Sequence, residues 1–351
     1  MNKPVRMGLL GCGTIAQFAH LPALARARKV KLVAICDAAE DLLSAAGARA
    51  GEIRRHTGFD DLLRDTAVEA VLIAVPDAFH VPLTLRALDA GKHVLVEKPL
   101  GTDSHECLQV VRAQRKLGLK VQVGSMKRHD PGVAFARRFV GERVGAVFSV
   151  SGVYRDTMFR HAMQDSCLDP PLVSPSSVKP SKDPKADREH YNLWTQGAHL
   201  FDSLRHLAGP IVAVTAQVAR QGEQSCWHGL IELASGGLGH FELTCKACAD
   251  WCERYEVFGA GGSVEVSVSL PFYHRPAQVR CFDGATQQIH SSLGASSNAY
   301  ANQLDAFASS IRDDTPTNPD AVEGLAAVRM LEAVARSVRE GRRIAIAPEE
   351  I

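Results

Sequence analysis

The sequence has almost no net charge and no long hydrophobic run. Its 351 residues contain 40 Lys and Arg against 39 Asp and Glu, which gives a formal net charge of +1. A chain without a basic field is not expected to bind nucleic acid or an anionic membrane. No apolar run approaches the ~18–20 residues needed to span a bilayer. The first residues lead directly into an apolar run and a glycine turn, so we expect no secretory signal and a cytoplasmic protein.

The cysteines do not form a recognisable disulfide framework. Nine of them, an odd number, are scattered through a chain long enough to bury two cores, so we interpret them as reduced thiols. Cys245, Cys248 and Cys252, with His240 upstream, have a spacing compatible with a zinc site. No second C-x-x-C is present, and we therefore predict no metal.

The first 124 residues alternate between two kinds of segment. Short continuous apolar runs, which are typical of buried parallel strands, occur at 5–10, 31–36, 68–75, 93–96 and 120–123. Helical segments lie between them, among them 81–90 and 104–117. Strands that alternate with helices predict a doubly wound parallel sheet, so residues 1–124 are expected to be a Rossmann domain.

From residue 125 onwards the pattern changes. Several segments alternate apolar and polar residues, as in VEVSVSL at 264–270. A period of two favours an open, mostly antiparallel sheet, flanked here by helical segments near 303–311 and 321–338. We predict that residues 125–351 form an α+β domain for substrate binding and oligomerisation. The polar, proline-rich stretch 165–189 is too long for a simple connector, so it is either a lid that moves over the substrate or partly disordered.

A dinucleotide-binding turn follows the first predicted strand. The sequence GCGTIA fits G-x-G-x-x-A, where glycines permit a tight turn close to a pyrophosphate and a helix begins. This assigns cofactor contacts to Gly11, Gly13, Thr14 and Ile15. Asp37 ends the second strand, where a carboxylate accepts hydrogen bonds from ribose hydroxyls and repels a 2′-phosphate. No Lys or Arg follows closely, so NAD is favoured over NADP.

Three further motifs resemble one family. The fourth strand is followed at once by Glu97-Lys98-Pro99, VPDAFH occupies 75–80, and GAHLFD occupies 197–202. The chain thus resembles the glucose–fructose oxidoreductase, inositol dehydrogenase and rhizopine-catabolism (Gfo/Idh/MocA) family over nearly its whole length. The resemblance implies pyridine-nucleotide oxidation or reduction of a sugar, polyol or related cyclic alcohol. One departure is Thr195, because the family usually has an acidic residue four positions before the histidine.

Two residues are the expected catalysts. Oxidation of an alcohol needs a base for the hydroxyl proton, and reduction needs the same group as an acid. Lys98 follows a central parallel strand at the edge where ligands bind, and His199 exchanges protons near neutral pH. Asp202, one helical turn after His199, is expected to orient the imidazole. Glu97 is expected to orient the backbone or the cofactor.

Weaker candidates surround these residues. Pro76 and His80 are predicted to border the cofactor, with a helix-cap role for His80 left open. Contacts to substrate hydroxyls are assigned to Lys98, His199, Arg128, Tyr154, Trp194 and Thr195. Arg128, Tyr154 and Trp194 also have an ordinary interpretation as surface or packing residues.

The leading function is therefore an NAD(P)-dependent sugar or polyol dehydrogenase or reductase. Thr195 and the stretch 165–189 leave open an NAD-recycling enzyme that cleaves glycosides by transient oxidation and elimination. A third alternative is a non-catalytic NAD-binding sensor. The alternating strands would leave one apolar sheet face uncovered, so we expect a homodimer or homotetramer joined through that face.

Overall fold

The computed structural model describes residues 3–181, 186–292, 294 and 297–347. These residues form two compact units. The first contains the described residues of 1–126, 168–184 and 300–328, and the second contains those of 127–167, 185–299 and 329–351. The units therefore differ from a single division at residue 124, because two later segments pack with the first unit.

The first unit is built on a six-stranded sheet. Its strands run in the order β3-β2-β1-β4-β5-β6, and every pair is parallel. This arrangement confirms the Rossmann fold predicted from the alternating apolar runs. The strands are β1 Val5–Leu10, β2 Val30–Cys36, β3 Arg54–His56, β4 Ala70–Ile73, β5 His93–Val96 and β6 Val121–Val123.

Helices connect these strands as the sequence pattern predicts. The longest, Ser104–Leu117, begins where the Asp103 carboxylate accepts hydrogen bonds from two backbone N–H groups and ends at Gly118, whose φ is 65°. Apolar residues from one face of the sheet and from several of these helices form a buried cluster. The helices are α1 Leu21–Leu24, α2 Glu40–Ala50, α3 Phe59–Arg64, α4 His80–Asp89 and α5 Ser104–Leu117.

The second unit contains a nine-stranded sheet in the order β14-β13-β12-β11-β7-β10-β9-β8-β15. Neighbouring strands are antiparallel except β7 and β10, which are parallel. The predicted mostly antiparallel sheet is thus confirmed. Its strands are β7 Val147–Thr157, β8 Ile211–Gln221, β9 Gln224–Leu233, β10 Leu238–Ala247, β11 Cys252–Gly259, β12 Gly262–Ser267, β13 Gln278–Asp283, β14 Gln288–Ser291 and β15 Ile344–Ala345.

One face of this sheet is covered and the other is open. Phe241 and Phe201 meet edge to face on the covered side, with ring centroids 4.9 Å apart. The helix that carries Phe201 supplies much of the buried cluster of the unit. The remaining helices are α6 Pro131–Phe139, α7 Arg160–Asp165, α8 Arg188–Ala208, α9 Ala299–Arg312 and α10 Ala321–Glu340.

The state of the cysteines and the character of the helices follow from the structure. All nine cysteines lie within the described residues, and all are free thiols. None of the helices in the described part of the chain is both long and apolar enough to cross a bilayer.

A carboxylate connects the end of α9 to β1 within the first unit. Glu69 accepts hydrogen bonds from the guanidinium of Arg312 at 3.0–3.2 Å and from the backbone and side chain of Arg6. Burial alone would raise the pKa of Glu69, but these hydrogen bonds lower it to about 2. The ionised carboxylate therefore stabilises the folded unit.

We expect Glu69→Gln to lower the free energy of unfolding by about 1–2 kcal/mol at neutral pH, a value discounted for partial exposure. The pKa of Glu69 in the folded protein lies below the ordinary 4.5. The stabilisation is therefore present above that pH and is lost as the pH falls towards 2. Urea unfolding midpoints at neutral pH and at about pH 3 measure this, and the difference from the parent should narrow at low pH.

The control is Glu265→Gln, because Glu265 forms a 2.9 Å pair with Arg280 in which both side chains are about half exposed. This variant should change the stability by less than ~0.5 kcal/mol. Equal losses in the two variants would contradict a special role for Glu69.

Candidate active site

The glycine turn after β1 has the shape that a dinucleotide requires. Gly11 has a φ of +94°, and a Cβ there would lie 2.3 Å from the carbonyl oxygen of Ala74, so only glycine fits. A Cβ on Gly13 would meet nothing within 4 Å. Thr14 is exposed and Ile15 half-buried where a π-helical stretch, Ala16–His20, begins. The turn thus leaves open space beside Gly13 for a pyrophosphate.

Asp37 is bonded to this turn. It follows β2, and its carboxylate accepts hydrogen bonds from the N–H of Cys12 at 2.7 Å and from that of Ala39 at 2.9 Å. Both oxygens are therefore oriented by the backbone. A negative charge is held next to the glycine turn, where the sequence predicted contact with the adenosine ribose.

Glu97 and Lys98 follow β5. The buried Glu97 carboxylate lies 2.8 Å from Nε2 of His20 and accepts a hydrogen bond from the N–H of Lys98 at 3.1 Å. Burial would raise the pKa of Glu97, but the hydrogen bond and charge of His20, together with Lys98, hold it below its ordinary value. Glu97 is thus an anion that fixes the backbone at Lys98, whose side chain is half-buried.

His80 bridges two loops of the same unit. Its ring is 1% exposed, with Nδ1 2.7 Å from the carbonyl oxygen of Pro99 and Nε2 2.9 Å from that of Val75. Although His80 opens α4, no side chain caps that helix. The bridge connects the loop containing the exposed Pro76 to the segment that carries Lys98.

In the second unit, His199 lies on α8 beside Tyr154. The two rings are parallel within 4°, with centroids 6.2 Å apart, and His199 is half-buried. The hydroxyl of Tyr154 donates a hydrogen bond to Oε1 of Gln196 at 2.8 Å. Burial raises the pKa of Tyr154 well above its ordinary value. Tyr154 therefore stays protonated and supports the imidazole rather than exchanging a proton.

The other candidates on α8 are partly used by the helix itself. The hydroxyl of Thr195 donates to the carbonyl oxygen of Tyr191 at 2.8 Å. Trp194 is 4% exposed, and its ring stacks on His190 with centroids 4.0 Å apart. Trp194 thus packs inside the unit, whereas the half-buried Thr195 keeps part of its surface accessible.

Two buried ion pairs underlie this group. Arg128 donates to Asp202 at 2.8–3.1 Å, and both side chains are almost fully buried. Because a buried guanidinium requires a carboxylate partner, this ion pair gives Arg128 a structural role in the unit. The carboxylate of Asp202, which the sequence predicted to orient the imidazole of His199, is bonded to Arg128. The contact of Arg128 with substrate hydroxyls stays a prediction.

Sequence reasoning missed the second ion pair. Nζ of Lys127 lies 2.6 Å from Glu253 and 4.7 Å from the ring centroid of Tyr154. Burial lowers the pKa of Lys127, and Glu253 opposes part of that shift. The available signal was the basic run 127–129 shortly after β6, but nothing local connects it to Glu253 in β11.

The described residues also contain one Cys, His and Glu group on the open sheet face, formed by Cys226, His228 and Glu242. It is not the cysteine set considered from the sequence. Arg155 pairs with both oxygens of Glu242 at 2.5–2.6 Å. A guanidinium in that position repels a cation, so the group does not carry a metal assignment.

Comparisons with known proteins agree with this geometry. Residues 5–125 match the Gfo/Idh/MocA family described as "Oxidoreductase family, NAD-binding Rossmann fold", and residues 192–346 match its C-terminal alpha/beta domain. Inositol 2-dehydrogenase 2 of Saccharopolyspora erythraea is 29% identical over 99% of this chain and 96% of its own. Inositol 2-dehydrogenase of Rhizobium meliloti is 29% identical over 98% and 99%.

A solved structure supports the fold. Scyllo-inositol dehydrogenase from Lactobacillus casei, with bound NAD(H) and scyllo-inositol, superposes with a TM-score of 0.75 over 98% of this chain and 99% of its own. The identity of 19% limits that likeness to the fold. With family matches that together cover most of the sequence, the chain belongs to the Gfo/Idh/MocA oxidoreductases and carries their NAD-binding Rossmann domain.

Proposed function

We propose that this oxidoreductase transfers hydride between NAD and a hydroxyl-bearing carbon of a cyclic polyol, within the wider class of sugars and polyols. The observation that carries the proposal is the placement of Lys98 directly after β5, two strands from the glycine turn of β1 in the same parallel sheet. Ligands bind at this carboxyl edge in open α/β sheets. The two inositol 2-dehydrogenases that align over the whole chain favour a cyclic polyol.

The residues of the first unit fit the cofactor. Gly13 faces open space, and the carboxylate of Asp37 is held beside the same turn. Bound NAD accepts hydride during oxidation and, in its reduced form, donates hydride during reduction. The chain itself must bind the alcohol, orient it and remove its proton.

Lys98 is suited to hold the alcohol. Its backbone N–H is fixed by the ionised Glu97, which is itself held by His20. An ammonium donates hydrogen bonds to a hydroxyl oxygen, and its neutral amine accepts a proton. We assign Lys98 to positioning the hydroxyl and sharing its proton.

His199 is the second proton-handling group. Its imidazole is half-buried and lies parallel to the ring of the protonated Tyr154. The ammonium of the buried Lys127, which pairs with Glu253, lies over that same ring. Oxidation of an alcohol would release a proton that a neutral amine or imidazole can accept, and reduction would return it. Thr195 cannot take a proton at neutral pH, so the proton falls to His199 or Lys98.

Two other functions predict different observations. A glycoside-cleaving enzyme that recycles NAD would consume a glycoside without net NADH. A non-catalytic sensor would bind NAD without turnover. The presence of Lys98 and His199 argues against the sensor.

We expect NADH to form from NAD with myo-inositol or another member of a panel of cyclic polyols and sugars. Lys98→Met and His199→Asn should each lower kcat by ~100-fold or more, the usual scale of general acid–base catalysis. NAD affinity should change little because the glycine turn and Asp37 hold the cofactor. NADH absorbance and cofactor titration measure the two quantities.

Matched controls are Lys116→Met and His105→Asn, two exposed residues of the same types on α5. Both should retain parental kcat. If His199→Asn also kept near-parental kcat, Lys98 alone would carry the proton. Turnover of a glycoside without NADH would replace the proposal by the second function.

We further propose that NAD is preferred over NADP because the carboxylate of Asp37 meets the adenosine ribose. Asp37→Ala should weaken NAD binding by ~10-fold because hydrogen bonds are lost. It should also reduce the difference in affinity between NAD and NADP. Titrations of the two cofactors measure both effects.

Asp37 also holds the backbone of Cys12, so a second variant separates these roles. Asp37→Asn keeps one oxygen acceptor and removes the charge. It should improve NADP binding while disturbing the turn less than Asp37→Ala. Tighter binding of NADP than NAD by the unmutated protein would contradict this proposal.

We also propose that the chain assembles with itself through the open face of the nine-stranded sheet. Phe148, Leu230 and Leu238 lie on the neighbouring strands β7, β9 and β10, and they are 60%, 67% and 63% exposed. Large apolar side chains grouped in this way are typical of an interface between subunits. A two-fold axis on this face would cover the same residues of both copies.

Light scattering at micromolar concentration should give a dimer or tetramer. Leu230→Asp should shift the mass to a smaller species because a buried interface cannot accommodate an unpaired carboxylate. The control is Leu117→Asp on α5, a leucine that is 42% exposed, and it should leave the mass unchanged. A monomeric parent would refute the proposed assembly.

A further inference from the structure

One buried side chain joins the glycine turn to a distant segment of the same unit. The amide of Gln17, which is 5% exposed, donates from Nε2 to the carbonyl oxygens of Cys12 and Leu172, both at 3.0 Å. Its Oε1 accepts a hydrogen bond from the N–H of Leu172 at 2.9 Å. Gln17 thus pairs with Leu172 as one peptide group pairs with another in a sheet.

One of these three hydrogen bonds involves the middle residue of the turn, and the other two involve Leu172. Cys12 lies between Gly11 and Gly13, and Leu172 is 155 positions from Gln17 in the sequence. A buried amide without partners is unfavourable, so the bonds to Leu172 satisfy a group that otherwise requires water. The side chain of Gln17 therefore connects this segment to the turn.

The segment around Leu172 is fixed by its backbone, yet its apolar side chains remain accessible. Leu172 and Val173 are 42% and 74% exposed, whereas the neighbouring Ser174 is 3% exposed. Oγ of Ser174 accepts a hydrogen bond from the N–H of Ser176 at 3.1 Å. Exposed apolar side chains on an anchored backbone, next to a ligand-binding turn, are a surface that a ligand can cover.

We propose that residues 168–181, which we name the strap, form part of the cofactor site and slow the release of the dinucleotide. Gln17 is the positioning residue that holds the strap against the glycine turn. This inference rests on the proposed function only in taking that turn as the cofactor site. Residues 182–185 lie outside the described part of the chain and are not included.

The strap replaces part of an earlier expectation. From the sequence, the stretch 165–189 was predicted to move over the substrate. Its described contacts through Leu172 are instead with Gln17 and, through it, with Cys12. Release of the cofactor then requires the strap to lift and its two hydrogen bonds to Gln17 to break, which affects the dissociation rate first.

The test uses NADH alone, without any polyol. NADH bound to the full chain is displaced by excess NAD, and its fluorescence is followed by stopped flow. Leu172→Pro removes the N–H donor to Gln17 and keeps the carbonyl acceptor, so the dissociation rate should rise by ~3–10-fold. Gln17→Ala removes all three hydrogen bonds and should raise the rate by ~10-fold or more.

Leu172→Ala is the matched control because it keeps both backbone hydrogen bonds and removes only the side chain. Its dissociation rate should stay closer to the parent than that of Leu172→Pro. An unchanged rate in Leu172→Pro overturns the proposal. Equal increases of the dissociation rate in the two Leu172 variants also overturn it, because the backbone hydrogen bonds to Gln17 would then have no effect on release.

Proteolysis supplies a second measurement, independent of the rate. Thermolysin cleaves before exposed apolar residues, so NADH should slow cleavage at Val173 in the parent more than in Leu172→Pro. If NADH did not change the rate of cleavage in the parent, the proposed role of the strap would be contradicted. A protein that binds NADH normally but oxidises no polyol would refute the proposed function and leave the strap intact.

Discussion

The main chain of Cys12 is held at both ends, and the cofactor side of the first unit depends on it. Its N–H donates to Asp37 and its carbonyl oxygen accepts from Gln17. Gly11, which precedes Cys12, has a positive φ and lies against the carbonyl oxygen of Ala74. Asp37 therefore has a structural role besides its proposed contact with the adenosine ribose, because its carboxylate also shapes the turn.

Buried charges paired with opposite charges lie next to both predicted catalytic residues, Lys98 and His199. In the first unit, the anionic Glu97 is matched by His20 and fixes the backbone at Lys98. In the second, the consecutive residues Lys127 and Arg128 pair with Glu253 and Asp202. Removing one partner of such a pair leaves an unpaired buried charge. The Arg128–Asp202 pair therefore anchors α8, which carries His199, to the segment that contains Arg128.

The elements that the sequence predicted well have strong local signals. β1, β5 and α5 were predicted with the bounds that the structure has, because continuous apolar runs, Asp103 and Gly118 mark them. β3 was missed because its sequence, RRH, is polar and it pairs only with β2 at the sheet edge. β13 and β14, two short strands at one edge of the nine-stranded sheet, were missed too.

The sequence by itself determined the two kinds of sheet, the glycine turn, Asp37 and the family resemblance carried by Lys98 and His199. These features depend on residues close together in the chain, whose periodicity and spacing are visible directly. Tertiary structure alone decided the partners of Arg128, His80 and Gln17. A buried polar side chain bonds to whichever acceptor the packed fold brings near it, and Leu172 lies 155 residues from Gln17.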